Sequence, residues 1–168
     1  GTYSITPSTN YPYAQAYSPA VHAGNVPNMG DADTLNDFAA TLIPNIQDLQ
    51  AWIYAEPARP GFENRLFLNY RNYGTMPVNA TLSLQWDADQ QWVGSSVTPS
   101  NVSGNTATWD LGTMDLAAEG LLTVDLSTLA TVLLDTPIEH LLTASPVLGD
   151  EAPYDNVAVY NDVVVGSY

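Results

Sequence analysis

The 168-residue chain carries three arginines, no lysine and 18 acidic residues, for a net charge of −15. A surface this negative repels nucleic-acid phosphates and anionic membranes, and it attracts divalent cations. Without cysteine there can be no disulfide, zinc–thiolate site or thiol nucleophile. No apolar run approaches the ~20 residues that span a bilayer, so membrane insertion is not expected.

Residues 1–45 read as an extended segment. Pro7, Pro12, Pro19, Pro27 and Pro44 punctuate it, and Tyr3, Tyr11, Tyr13 and Tyr17 lie between them. So many tyrosines suit docking, on the following domain or on a neighbouring chain. A short helical turn is expected over Thr34–Thr41, capped by Asp33 or Thr34. "GDADTLND" spaces Asp31, Asp33 and Asp37 as oxygen ligands for calcium. It lacks the central glycine and terminal glutamate of an EF-hand, and a solvated turn is the competing reading.

From residue 46 to 168 the pattern has a two-residue period. Leu66, Leu68 and Tyr70 alternate with Phe67, Asn69 and Arg71; Ala80, Leu82, Leu84 and Trp86 alternate with polar residues. Ala107, Trp109 and Leu111 repeat the pattern, as do Leu122, Val124 and Leu126. Further strands are expected over 48–55, 91–97, 138–145 and 157–165. Helix over Leu126–Leu134 is disfavoured by its Thr/Val content. Turn residues break the runs at Pro60-Gly61, Tyr73-Gly74, Ser103-Gly104-Asn105, Glu119-Gly120 and Gly149-Asp150. The expected fold is all-β: an Ig-like antiparallel sandwich of Greek-key topology with about seven to nine strands, preceded by the extended segment.

Catalytic constellations are hard to assemble from these residues. His140 falls in strand register with Ile138 and Leu142, which reads as a sheet histidine, and no Gly-x-Ser-x-Gly elbow accompanies it. Asp87 and Asp89 follow the strand ending at Trp86 and read as turn formers. With 18 acids, neighbouring carboxylates carry no glycosidase signal. Trp86 and Trp109 share a face with aliphatic residues and are assigned to the core. Trp52 and Trp92 are the candidates for an exposed binding surface, for sugar or protein.

The stretch "GDEAPYDN" before the last strand places Asp150, Glu151, Asp155 and Asn156 around Pro153. It is a second calcium candidate, through Asp150, Glu151 and Asp155. As a plain turn, Asp155 and Asn156 would bond local backbone amides.

Several motifs in order give the last 120 or so residues a family likeness. They are Arg59-Pro60-Gly61, then Tyr70-Arg71-Asn72-Tyr73-Gly74, then Gly149-Asp150…Pro153…Asp155-Asn156, then Val164-Val165-Gly166-Ser167-Tyr168. The stretch resembles an Ig-like conserved-repeat domain of large modular surface and secreted proteins of Bacteroidota, cargo of type IX secretion. The resemblance implies a non-catalytic extracellular module and names no active site. It also suggests a piece of a longer exported precursor. The function expected is structural: a cell-surface or secreted assembly, even a homopolymer or filament built by strand or N-terminal-arm exchange. Its partners would be copies of itself, other surface proteins or glycans. The alternative is a carbohydrate- or surface-adhesion module using the exposed aromatics, with or without calcium.

Overall fold

The computed structural model describes residues 1–8 and 11–166. Ser167 and Tyr168, the end of the last family motif, lie outside the described residues. The chain divides into two compact units, Gly1–Ile46 and Gln47–Tyr168. Strands are the only regular elements among the described residues.

The first unit holds β1 (Thr2–Ile5), β2 (Ala14–Ser18), β3 (His22–Asn25) and β4 (Ala39–Leu42). They pair antiparallel as β1–β3 and β2–β4. The ladders give this proline-punctuated segment a regular pairing that no two-residue period in its sequence announces. Such short ladders need only backbone donors and acceptors, and no face of β1 or β2 is buried enough to impose a two-residue period. The helical turn expected over Thr34–Thr41 is absent. Asp33 Oδ1 accepts from Leu35 N at 3.1 Å, a local turn, and Ala39–Leu42 then runs extended against β2.

The second unit is a sandwich. Its strands are β5 (Leu49–Ala55), β6 (Glu63–Asn72), β7 (Val78–Gln85), β8 (Gln90–Ser95), β9 (Asn101–Ser103), β10 (Thr106–Met114), β11 (Glu119–Thr128), β12 (Pro137–Ser145) and β13 (Val157–Val163). One sheet has the order β13-β12-β7-β10-β9 and the other β5-β6-β11-β8. The alternating residues do what their period requires. Leu66, Leu68, Leu82, Leu84, Trp109, Leu122, Val124, Leu126 and Leu142 meet in one core between the sheets.

Two irregularities shape that core. In β10 the inward parity changes from Ala107 and Trp109 to Met114, because the ladder with β7 shifts between Asp110 and Gly112. Gly112 supplies the left-handed backbone of this bulge, at φ 65°, and Asp110 Oδ1 accepts its N–H at 2.9 Å. At the far end of β6, Asn72 is fully buried. Its Nδ2 donates to the carbonyls of Met76 (2.8 Å), Met114 (3.0 Å) and Asp115 (3.2 Å), and its Oδ1 accepts from Gly74 N at 3.0 Å. The Tyr-x-Asn-x-Gly motif is thus an internal cap that ties two turns together.

Candidate functional site

The loop joining β12 to β13 carries "GDEAPYDN", and it folds back onto the start of β5. Asp150 Oδ2 accepts from Leu49 N at 2.8 Å and from Asn156 Nδ2 at 3.2 Å. Its Oδ1 accepts from Ala152 N at 3.0 Å within the loop. Asp155 Oδ2 accepts from Gln50 Nε2 at 2.9 Å, and its carbonyl accepts from Ala51 N at 2.9 Å. Asn156 Nδ2 also reaches Ala144 O at 3.2 Å. The local amide is therefore held by Asp150. Asp155 bonds across to Gln50 and also draws on its own backbone amide, the local contact expected, whereas Asn156 bonds Ala144 O and the Asp150 carboxylate in place of a local amide.

These bonds bring a third acid into place. One carboxylate oxygen each from Asp48, Asp150 and Asp155 lie within 4.8 Å of one another. Asp48 is buried, and Asp150 and Asp155 are half-buried. Burial pushes the Asp155 carboxyl above the usual carboxylate range. The negative charges of Asp48 and Asp150 act the same way, and the Gln50 hydrogen bond opposes them. Oδ1 of Asp155 and Oδ1 of Asn156 are covered and meet no hydrogen-bond donor among the described residues. Oxygen-only donors of this kind are the ligand chemistry of hard divalent cations.

Glu151 stands apart from this cluster. Its backbone N–H bonds Gln47 O at 2.8 Å and its side chain is exposed. Asp48 escaped the sequence reading because 101 residues separate Leu49 from Asp150, and only the folded sandwich joins them. Asp31, Asp33 and Asp37 form no comparable cluster among the described residues. Asp31 Oδ2 accepts from Asn28, at 3.0 Å from its N and 3.1 Å from its Nδ2. Asp33 accepts from the Tyr3 hydroxyl, and Asp37 O bonds His22 Nε2 at 2.7 Å.

The aromatic candidates divide. Tyr3 is bound to Asp33, Tyr11 and Tyr13 meet edge to face at 5.5 Å, and Tyr17 is half-buried on β2. Trp52 stands on the outer side of β5, 43% exposed. Trp92 does not form an exposed surface. Its ring packs between Trp86 (5.4 Å) and Trp109 (6.2 Å) at the margin of the core.

His140 is fully buried, with Nε2 2.6 Å from Gln90 Oε1. Gln90 Nε2 donates in turn to Asn64 Oδ1 (3.0 Å) and Thr128 Oγ1 (3.2 Å). Asp87 caps its own turn, accepting from Asp89 N at 2.9 Å.

The chain matches no family model and no curated protein. It does match solved structures. A CARDB domain from Pyrococcus furiosus, crystallised in complex with di-metal ions, superposes with a TM-score of 0.54 at 16% identity over 80% of this chain and 99% of that one. The solution structure of that organism's CARDB domain gives 0.50 at 14% identity over 71% and 96%. A cohesin from the Acetivibrio cellulolyticus scaffoldin B, in complex with a dockerin, gives 0.43 at 11% over 71% and 94%. The fold is an Ig-like β-sandwich.

Proposed function

We propose that this chain is a non-catalytic structural module of an extracellular, cell-surface assembly, fastened by a divalent cation at Asp48, Asp150 and Asp155. The observation that carries the non-catalytic reading is the fate of the reactive side chains. His140 is sealed inside the sandwich with its Nε2 engaged, and His22 bonds the Asp37 carbonyl and packs on Phe38 at 4.8 Å. The carboxylates of Asp87 and Asp150 hold turns, and that of Asp110 holds the β10 bulge. Chemistry-bearing groups here are structural members, and Ig-like sandwiches serve widely as modules in cell-surface proteins.

The cation reading rests on the three clustered carboxylates and on Asp155 Oδ1, which meets no donor among the described residues. Calcium is the hard cation these oxygens suit best. The CARDB domain of the same fold, crystallised in complex with di-metal ions, adds support. A cation here would join the start of β5 to the β12–β13 loop. Extracellular placement and type IX export rest on the motif resemblance, and the acidic, cysteine-free composition accords with both. Self-assembly would use a sheet edge or the β1–β4 unit as the exchanged element.

Two measurements test this. After removal of metal, added calcium is expected to raise the unfolding midpoint of the wild-type chain and not that of Asp48→Asn. Light scattering at high protein concentration with calcium is expected to report species larger than a monomer. A strictly monomeric chain would overturn assembly, and an unresponsive midpoint would overturn the cation.

A further inference from the structure

The outer face of the β5-β6-β11 sheet is organised in cross-strand rows. Register places Gln50 beside Arg71 and Glu119, then Trp52 beside Asn69 and Leu121, then Tyr54 beside Phe67 and Thr123. Arg65 and Asp125 form the row beyond. The outermost rows carry charges that cancel. Arg65 Nε lies 2.7 Å from Asp125 Oδ1, and Arg71 Nε lies 4.0 Å from Glu119 Oε2. On a chain with a net charge of −15, the two middle rows are a neutral, largely apolar island.

That island has a stacked aromatic pair and a pocket. Tyr54 and Phe67 stack with centroids 4.8 Å apart and planes 12° apart. Trp52 is 43%, Tyr54 47% and Leu121 53% exposed. Trp52, Asn69, Glu119, Gly120 and Leu121 line a shallow pocket of about 330 Å³. Nδ2 of Asn69 is covered and meets no hydrogen-bond partner among the described residues. Buried polar atoms are ordinarily satisfied, so an amide left short of a partner beside a pocket calls for an external one.

We propose that this island binds a neutral carbohydrate, with a pyranose ring lying on Trp52 beside the Tyr54–Phe67 pair and hydroxyls bonded to Asn69 and Glu119. Three features select this occupant. The apolar C–H face of a pyranose matches an exposed aromatic ring, as amphipathic Trp and Tyr surfaces require. A hydroxyl both donates and accepts, so it satisfies an amide and a carboxylate at one time. Size is the third. Two rows ~7 Å apart across three strands ~4.8 Å apart have a footprint of roughly 200 Å², small beside the roughly 800 Å² of accessible surface that each partner buries in a stable protein interface. A second copy of the chain would need much more apolar surface, whereas one or two sugar rings fit.

The test is calorimetric titration of the whole chain with a panel of neutral hexasaccharides, β-1,4-linked glucose, xylose, mannose and N-acetylglucosamine. At least one is expected to bind with a sub-millimolar Kd. Trp52→Ala is expected to weaken it at least about tenfold, and Asn69→Ala to weaken it less. Unfolding midpoints of both variants verify that they fold, and Trp52 fluorescence, assigned with Trp52→Phe, reports the contact directly. No binding by any of the four sugars overturns the proposal, as does binding that Trp52→Ala leaves intact. So does self-association in sedimentation that Trp52→Ala abolishes, which would make the island a docking face for copies. None of these outcomes depends on calcium, so the cation reading stands or falls separately.

Discussion

Nε2 of His140 lies 2.6 Å from Oε1 of Gln90, across the interior from one sheet to the other. The oxygen can only accept, so the imidazole carries its proton on Nε2 and leaves Nδ1 bare. Nδ1 is buried with no partner among the described residues. Protonating it would bury a charge and a donor with nothing to receive it. Burial accordingly pulls the His140 pKa from its ordinary 6.5 to about 4, against the opposing pull of Asp87 and Asp162. The unfolded chain binds this proton near pH 6.5 and the folded chain does not. Stability is therefore full above pH 6.5 and falls as the pH drops toward 4, by about 3 kcal/mol in all. Urea unfolding across this range should show that slope. His140→Gln, which can still donate to Gln90, should flatten it. The comparison between the two proteins matters because the raised Asp155 carboxyl works in the opposite direction, favouring the fold as pH falls.

Asn72 is the second position at which one polar group holds distant segments. Its amide serves three carbonyls and one N–H from inside the sandwich. Asn72→Ala leaves these groups without partners and should cost about 2–4 kcal/mol. Asn72→Asp should be at least as damaging, because a carboxylate would face three carbonyl oxygens. Urea denaturation midpoints of both variants check this. A loss of under about 0.5 kcal/mol for alanine would show that water replaces the amide.

What could be read from the sequence follows where burial falls on one face of a strand. Leu66/Leu68, Leu82/Leu84 and Leu122/Val124/Leu126 announced their strands because their alternate neighbours are exposed or half-exposed. Trp92 was misplaced because no aliphatic residue of β8 shares its face: Gln90 and Gly94 flank it there, and the strand's one aliphatic residue, Val93, is exposed on the other face. β1 to β4 were missed because their ladders have little buried face. Asp48 belongs to the acidic cluster only through pairing between ends of the sandwich, which no local pattern encodes. The neutral island likewise arises from register across three strands, although Trp52 was visible as one of its members.

Gly120 tests a close approach. It pairs with Tyr70 across β6 and β11, and a Cβ at this position would come within 2.3 Å of the Tyr70 hydroxyl and 2.4 Å of its ring carbon Cζ. Tyr70 packs against the core, so its ring has no easy retreat. Gly120→Ala should destabilise the sandwich by about 1–3 kcal/mol, a cost of overpacking. The double variant with Tyr70→Leu should recover part of that cost, measured as a coupling between the two changes. Additive losses would mean that the glycine is needed for some reason other than the tyrosine above it.

Asp155 should respond to metal with a change of sign. One of its carboxylate oxygens lies within 4.8 Å of one each from Asp48 and Asp150, and its Oδ1 meets no donor among the described residues. In chelator, Asp155→Asn removes a repelling charge and keeps an oxygen that can accept from Gln50. The variant should then melt at or slightly above the wild-type temperature. With calcium in millimolar excess, the wild type should gain through binding to the folded state alone, and Asp155→Asn should gain little. The order of the two midpoints thus reverses between the conditions. Glu151→Gln removes an equal charge from the same loop but from an exposed side chain outside the cluster, and it should keep the full calcium response. If Glu151→Gln and Asp155→Asn lose the response equally, calcium acts by screening the acidic surface and not by occupying the cluster.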